Sequence, residues 1–272
     1  MKIIQLHNNI EIPSIGLGVF QSHCGTETEQ AVSWALESEY THIDTAKIYA
    51  NETSVGDAIA KSSLPREKIF LTTKLWNEDI RQHRTKEAFQ ESLDKLQTSY
   101  VDLYLIHWPV DGRLDAWLEM EELYKSGKIK AIGVSNFHQH HLEELFKIAT
   151  IMPMVNQIES HPYLSNQKLI DYCHSKNIAV EVWSPLGGAG APILKDPTII
   201  KLAEKYNKST AQIIVRWDIQ RNVIVLPKSV NKDRIESNIQ VYDFELTADD
   251  MATISNLNKD QRIGADPDNF DF

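Results

Sequence analysis

Four polar side chains stand at or just after the ends of three apolar stretches. Asp44 and Tyr49 occur in HIDTAKIYANE, Lys74 in LTTKLWN and His107 in DLYLIHWP. Taken singly, Asp44 could cap a helix or lie at a barrel rim, and Tyr49 could simply pack. Lys74 could be solvated and His107 could be a hydrogen-bonded core histidine. Four such residues at the ends of adjacent predicted strands are better explained by one chemical site.

These residue types suit proton transfer to a carbonyl oxygen. Free tyrosine has a pKa of about 10, and a neighbouring cation such as Lys74 lowers it by favouring phenolate. Asp44 can keep the Lys74 ammonium charged, because a buried ammonium without a partner is costly. His107 can donate a hydrogen bond to the carbonyl oxygen and fix its approach. Side chains do not supply hydride, so reduction would require a cofactor.

Eight short apolar runs alternate with segments of helical periodicity. Several runs are rich in Val, Ile and Leu without alternation, which is typical of parallel strands buried on both faces. We therefore predict an α/β fold, a (β/α)8 TIM barrel formed as a single domain by residues 1–272. The predicted barrel strands are 15–19, 42–45, 69–75, 101–107, 129–134, 155–159, 178–183 and 223–226.

Other segments add elements to this barrel. An N-terminal β-hairpin is predicted from 3–6 and 10–12 around a turn-rich stretch. The seventh connection is predicted to hold two helices, 197–206 and 210–220, and an extra C-terminal helix is predicted near 248–257. Because active sites of such barrels lie at the C-terminal strand ends, the four polar side chains should surround one mouth.

Composition limits the classes of partner. A net charge of −10 disfavours nucleic acid. Cys24 and Cys173 form no CxxC pair and are expected to be free thiols. The sequence has no apolar run long enough for a signal peptide or a membrane span, so a cytoplasmic protein without membrane association is expected, and a monomer is the simplest expectation. His42 and His161 are interpreted as structural, and no metal site is predicted.

In order along nearly the whole chain, several segments resemble the aldo-keto reductase superfamily. They are IGLGVF, HIDTAKIYANE, LTTKLWN, YVDLYLIHWP, IGVSNF, VNQIESHPY, VLPKSVNKDRIESN and DPDNFDF. The most similar branch is the bacterial one that includes diketo-gluconate, methylglyoxal and aldehyde reductases. The resemblance implies reduction of aldehydes and ketones to alcohols, with hydride from C4 of the nicotinamide of NADPH. It assigns Asp44, Tyr49, Lys74 and His107 as a catalytic tetrad in which Tyr49 gives the proton.

A nucleotide site of the Rossmann type is not indicated, because no GxGxxG follows a strand and opens a helix. The Gly-rich run 187–190 is a weak match to a phosphate loop and could equally be a flexible turn. The resemblance implies that the nicotinamide amide is bound by Ser135, Asn136 and Gln157 and that Trp183 lies against the nicotinamide face. It implies a pyrophosphate loop of Ser184, Pro185, Leu186 and Gly187.

The segment after the eighth run carries an anion-binding signal. Two cations and a hydroxyl near a helix start can bind phosphate, although a solvated basic surface is the alternative. The resemblance assigns this segment to the 2′-phosphate of NADP and Asn238 to an adenine contact, whereas Ser237 replaces a glutamate common in the family. The residues expected to bind the phosphate are Lys228, Ser229, Val230 and Arg234.

The substrate pocket is expected to have aromatic walls and one polar edge, which suits small aldehydes or ketones. Its predicted residues are Phe20, Trp76, His107 and Trp108, with the tail near 269–270. Arg113 could meet an acidic substrate or be a solvated loop arginine. Two other functions stay open from residues alone: a regulatory protein that binds NADPH without turnover, and a metal-dependent barrel hydrolase.

Overall fold

The chain forms a sheet of eight parallel strands that closes on itself. This computed structural model describes residues 2–188, 190 and 192–272. Each barrel strand pairs with the next along the chain, and parallel bridges Ile15–Val225 and Gly18–Lys228 join the first barrel strand to the last. The predicted TIM barrel is confirmed. Its strands are β3 (Leu17–Gly18), β4 (His42–Asp44), β5 (Phe70–Leu75), β6 (Val101–Ile106), β7 (Ile129–Ser135), β8 (Val155–Glu159), β9 (Ala179–Trp183) and β10 (Ile224–Leu226).

The predicted N-terminal hairpin is also confirmed. Strands β1 (Ile3–Gln5) and β2 (Glu11–Pro13) pair antiparallel, and the left-handed φ of 67° at Asn9 lets the chain reverse between them. Ile12 is fully buried in the main core, so the hairpin packs on the barrel. Hydrophobic contact thus supplements a pairing that would be marginal for two strands alone.

Helices surround the sheet in the order expected of β/α units. In α4, Phe89, Leu93 and Leu96 share one buried face at helical spacing. Burying each such side chain contributes about 1.5–3 kcal/mol. The helices are α1 (Thr26–Glu37), α2 (Glu52–Lys61), α3 (Asn77–Arg81), α4 (Thr85–Leu96), α5 (Arg113–Lys125), α6 (Gln139–Phe146), α7 (Gln167–Ser175), α8 (Pro197–Tyr206), α9 (Thr210–Gln220), α10 (Lys232–Asn238) and α11 (Ala248–Ser255).

The two helices of the seventh connection have the predicted bounds because their ends carry strong local signals. Asp196 caps α8, which begins with Pro197, and Ser209 forms a capping box with Gln212 at the start of α9. Helices α8, α9 and α11 share a second apolar cluster around the fully buried Trp217. That cluster anchors the extra C-terminal helix, which ends at Ser255 rather than at residue 257.

Two further details differ from the prediction. The first barrel strand covers only Leu17–Gly18, because Ile15 contacts the sheet through an isolated bridge. Short 3-10 turns, at Lys47–Tyr49, Arg66–Lys68 and Pro192–Lys195, were not predicted. No helix in the described ranges is both long and apolar enough to cross a membrane.

Candidate active site

Asp44, Lys74 and Tyr49 meet at the C-terminal ends of β4 and β5. Lys74 is fully buried, and its Nζ donates to Asp44 Oδ1 at 2.6 Å and to the Thr45 carbonyl at 2.9 Å. The Tyr49 hydroxyl lies 3.4 Å from the same Nζ. The ammonium therefore lies between a carboxylate and a phenol. Asp44 and Tyr49 both border the cavity, whereas Lys74 lies behind them.

Burial and charge act in opposite directions on these groups. Burial would lower the pKa of Lys74, but the adjacent Asp44 carboxylate raises it, and the net pKa is raised. Burial raises the pKa of Tyr49 more than Lys74 lowers it, so the net pKa of this phenol is above its ordinary value. The expectation that Lys74 would bring the Tyr49 pKa below 10 is therefore not met in the free protein, because burial outweighs the neighbouring charge.

A 3-10 turn holds Tyr49 in place. Tyr49 closes the turn Lys47–Tyr49, after which Ala50 adopts a left-handed φ of 56°. Lys47 anchors the turn through ion pairs with Asp79 at 2.9 Å and Glu91 at 2.8 Å. These contacts position the tyrosine from outside the barrel.

His107 follows β6 and faces the same mouth. Its ring centroid is 5.7 Å from that of Tyr49 and 5.3 Å from that of Trp76. Burial, assisted by the Lys74 charge, lowers the pKa of His107 well below its usual value. The imidazole is therefore neutral near pH 7 and is suited to donate a hydrogen bond rather than to act as a cation.

One cavity of about 560 Å³ extends from these residues across the strand ends. Its apolar walls at the end beside Tyr49 and His107 are formed by Phe20, Trp76, Trp108 and Phe272. The expectation that the tail near 269–270 lines this cavity is corrected, because Phe272 takes that place. Phe270 instead packs on Trp108, with ring centroids 5.0 Å apart, and borders a neighbouring cavity.

The residues expected to bind a nicotinamide amide form one hydrogen-bonded group beside the tetrad. Asn136 has a left-handed φ of 64°, donates to the His107 carbonyl at 3.0 Å and accepts from Trp183 Nε1 at 2.9 Å. Ser135 donates to the Gln157 carbonyl at 2.9 Å. Side chains held in this way present a preformed surface to a ligand.

The far end of the cavity carries uncompensated positive charge. Lys228 and Arg234 both line it, and among the described residues neither forms an ion pair with a carboxylate. Two cations at one concave surface suit a phosphate group. The cavity is also bordered there by Ser184, Pro185, Leu186, Ser229 and Val230.

Two expected cofactor contacts do not border the cavity. Gly187 is buried behind the loop with φ 83°, and Asn238 is 4% exposed at the end of α10. In the Gly-rich run 187–190, Gly188 and Gly190 also have positive φ, whereas Ala189 lies outside the described residues. Gly187, Gly188 and Gly190 thus each adopt a backbone conformation that favours glycine.

Residues 262–272, which we call the tail, lie across the mouth. Glu159 accepts backbone N–H groups of Ile263 at 2.6 Å and Gly264 at 3.1 Å. Phe272 stacks on Trp76 with ring centroids 6.0 Å apart. The tail is thus tied to the barrel at both ends.

A third tie of the tail was missed by the sequence analysis. The carboxylate of Asp268 lies 2.9 Å from His138 Nδ1, 3.2 Å from His140 Nε2 and 3.6 Å from His141 Nε2. These ligand types could hold a metal ion. The only signal in the sequence was HQHH at 138–141, because Asp268 is far away along the chain.

Hydrogen bonds indicate where the protons of this cluster lie. His138 Nε2 is 2.9 Å from an Arg262 nitrogen, which can only donate, and His141 Nδ1 accepts from the His138 backbone N–H. The nitrogens of His138 and His141 that face Asp268 are therefore the protonated ones. The three histidines thus bind the Asp268 carboxylate at the start of a helix, where negative charge is favoured. A metal ion could bind here only if these hydrogen bonds were broken.

Other residues singled out in the sequence have structural partners. Arg113 begins α5, is partly buried and pairs with Glu144, and it does not line the cavity beside Tyr49. His161 lies 3.1 Å from Glu159, and His42 lies 3.2 Å from Thr72 inside the barrel. Both histidines are buried, in agreement with a structural interpretation.

Known proteins are similar to this chain along nearly its full length. The sequence model described as the Aldo/keto reductase family matches residues 14–259. A 9,11-endoperoxide prostaglandin H2 reductase of Trypanosoma cruzi is 50% identical over 98% of this chain and 95% of that protein. A glyoxal reductase of Bacillus subtilis is 50% identical over 99% of this chain and 97% of that protein. The crystal structure of an aldo-keto reductase enzyme from a Medee basin deep-sea metagenome library has 47% identity and a TM-score of 0.96, and the match covers 99% of this chain and 100% of that one. The chain therefore belongs to the aldo/keto reductase family, and it is an oxidoreductase that acts on carbonyl groups.

Proposed function

We propose that this enzyme reduces small aldehydes and ketones with NADPH and that Tyr49 donates the proton. The observation that carries the proposal is the contact of Lys74 Nζ with both Asp44, at 2.6 Å, and the Tyr49 hydroxyl, at 3.4 Å. This contact lies at the edge of a cavity whose far end is lined by Lys228 and Arg234. Each part has a defined chemical task.

Tyr49 keeps its proton until the carbonyl oxygen gains negative charge. Its raised pKa holds the free phenol neutral through the physiological range. As the proton leaves, phenolate develops beside the Lys74 ammonium, and this charge pair, which is absent from the ground state, stabilises the transition state. Asp44 keeps Lys74 charged and fixed at that position. Burial therefore keeps Tyr49 protonated before the reaction, and Lys74 stabilises the phenolate as the proton is transferred.

His107 fixes the approach of the carbonyl group. Because its imidazole is neutral, it can donate an N–H to the substrate oxygen without competing with Lys74 for charge. Trp76, Trp108 and Phe272 supply apolar walls around that oxygen. A small carbonyl compound would thus meet two donors, Tyr49 and His107, on one edge.

The remaining cavity residues suit a nicotinamide dinucleotide, which supplies the hydride when bound. Gln157 directs its amide nitrogen to Asp44 and Glu181, which leaves its carbonyl oxygen for a carboxamide. Ser135 and Asn136 lie beside it, and Trp183 offers a ring held by its hydrogen bond to Asn136. Lys228 and Arg234 are the residues that would hold the 2′-phosphate, which is the group that distinguishes NADPH from NADH.

The experiment follows oxidation of NADPH and of NADH at matched concentrations with a panel of carbonyl compounds. Glyoxal, simple aldehydes, ketones, keto-sugars and prostaglandin endoperoxides cover the chemistry named for the two curated relatives. We expect turnover of small carbonyls, with a lower KM for NADPH than for NADH. Tight NADPH binding without turnover of any compound would instead favour a regulatory role.

A further inference from the structure

Glu181 is a second carboxyl group inside the barrel, beneath the catalytic residues. It lies in β9, is fully buried, and is paired in register with Gln157 of β8. Gln157 Nε2 donates to Glu181 Oε2 at 2.8 Å and to Asp44 Oδ2 at 2.9 Å. One amide group therefore bridges two carboxyl groups, and the bridge fixes which way that amide points.

Among the residues that the structure describes, no cation near Glu181 is available to neutralise a negative charge on this carboxyl group in addition to the one on Asp44. The cation nearby is Lys74, whose Nζ is already paired with Asp44 at 2.6 Å. His42 Nε2 faces Glu181 Oε1 at 3.6 Å, but burial lowers the pKa of this imidazole to about 3 and keeps it neutral. The strand on the other side, β10, consists of Ile224–Leu226 and brings no titratable group. An ionised Glu181 would be an unpaired buried charge.

We propose that Glu181 is a positioning residue of the reductase site, which as a neutral acid holds the Gln157 amide and leaves Asp44 and Lys74 as the only charged pair beneath Tyr49. The inference rests on the proposed function. With its amide nitrogen held by the two carboxyl groups, Gln157 directs its carbonyl oxygen away from them. That oxygen accepts no hydrogen bond from the described residues and can meet the nicotinamide carboxamide.

The ionisation equilibrium of Glu181 agrees with this geometry. Burial, reinforced by the Asp44 charge, raises its pKa from 4.5 to about 8, although Gln157 and Lys74 act in the opposite direction. The carboxyl group is thus protonated at neutral pH. Above about pH 8 its negative charge would oppose formation of phenolate at Tyr49, and the rate of reduction should fall.

A first test uses stability and needs neither cofactor nor substrate. Because the folded-state pKa is raised, the stabilisation by Glu181 is fully present below the unfolded value of 4.5 and is lost as pH rises through about 8. Between about pH 5 and pH 9, the Tm of the wild type should therefore fall relative to the Tm of Glu181→Gln. The control Glu245→Gln, at an exposed carboxylate, should follow the wild type at every pH. If Tm varied with pH in the same way for Glu181→Gln and the wild type, the proposal that Glu181 is a neutral buried acid would be overturned.

A second test separates positioning from simple structural support. Glu181→Gln retains an oxygen that can accept from Gln157, whereas Glu181→Leu does not. We expect Glu181→Leu to raise the KM for NADPH by roughly ten-fold, the effect of one lost hydrogen bond of about 1.4 kcal/mol, and Glu181→Gln to stay near the wild type at pH 7. In addition, kcat of Glu181→Gln should lack the decline that the wild type shows near pH 8. An unchanged KM in a folded Glu181→Leu variant, or identical pH profiles, would overturn the positioning role. If the wild type turns over no carbonyl compound, the proposed function fails, while the stability test still decides the state of Glu181.

Discussion

At the scale of single residues, the site depends on a cation that the fold has removed from water. Lys74 is fully buried and is compensated by Asp44 and by the Thr45 carbonyl. Removing one partner of such a pair leaves an unpaired buried charge, whereas removing both does not. Stability and catalysis should therefore respond differently to single and double substitutions.

Lys74→Met should lower the free energy of unfolding by about 3–5 kcal/mol and abolish most turnover, because Asp44 loses its counterion. The double variant Lys74→Met/Asp44→Asn should recover much of the stability but none of the activity. Urea unfolding and NADPH-linked turnover measure the two effects on the same preparations. Recovery of activity in the double variant would contradict the role of Lys74 in stabilising phenolate.

His107 gives a pH prediction with a definite sign. Burial and Lys74 place its pKa well below the ordinary value, so the imidazole does not titrate in the range where a free histidine would. At saturating NADPH and substrate, kcat should stay flat between about pH 6 and pH 7. A decline centred near the ordinary histidine pKa that disappears in His107→Gln would show that His107 instead acts as a titrating group.

At the scale of elements, the tail is the part of the site that local sequence signals describe least. The tail is tied by Asp268 to the histidines at the start of α6, by the Ile263 and Gly264 N–H groups to Glu159, and by Phe272 to Trp76. Because Phe272 forms a wall of the cavity, loosening the tail should affect binding of the carbonyl substrate more than it affects the far end, where Lys228 and Arg234 lie.

Asp268→Ala should raise the KM for the carbonyl substrate by roughly two- to five-fold, because partly exposed ionic contacts are worth less than about 1 kcal/mol. Little change is expected in NADPH affinity. Asp260→Ala, which removes a carboxylate just before the tail, is the matched control and should behave as the wild type. The affected readouts are steady-state KM values and tryptophan fluorescence, since Trp76 and Trp108 contact the tail. Equal KM values for Asp268→Ala and Asp260→Ala would show that this tie does not shape the pocket.

The elements themselves could largely be predicted from sequence because their signals are local. Pro197 and Ser209 mark helix starts, and unbroken apolar runs mark buried parallel strands. The grouping of Asp44, Tyr49, Lys74 and His107 was predictable because these residues end or follow strands whose C-terminal ends meet at one edge. Glu181 and Asp268 were not, because one is a single polar letter inside a strand and the other lies 130 residues from His138. The contacts of Glu181 depend on strand register and those of Asp268 on the path of the tail, and neither can be predicted from a local sequence pattern.

At the scale of the whole molecule, the cofactor must approach a protein whose net charge is −10. Charges farther away than the Debye length, about 8 Å at physiological ionic strength, are largely screened. Local cations therefore decide whether an anionic cofactor binds, and Lys228 and Arg234 are free of carboxylate partners among the described residues, as noted above. NADPH affinity should depend on these two side chains and on salt.

Arg234→Ala or Lys228→Ala should raise the KM for NADPH by roughly ten-fold or more, since a charge-assisted contact contributes about 1.5–3 kcal/mol. The KM for NADH should hardly change, and the salt dependence of NADPH binding should weaken. Lys232→Ala is the control, because Lys232 is a nearby exposed cation that lies 3.8 Å from Glu236. An equal rise in KM for NADPH and for NADH would show that Lys228 and Arg234 do not bind the 2′-phosphate.

The central claim, that Tyr49 is the acid of a carbonyl reductase, is tested most directly by Tyr49→Phe. This change removes one hydroxyl group and keeps the ring that contacts Phe20 and His107. NADPH binding, measured by fluorescence titration, should stay within a few-fold of the wild type, while kcat should fall by at least about 10²-fold, the usual contribution of a general acid. Turnover near the wild-type rate in a variant that binds NADPH normally would contradict the account.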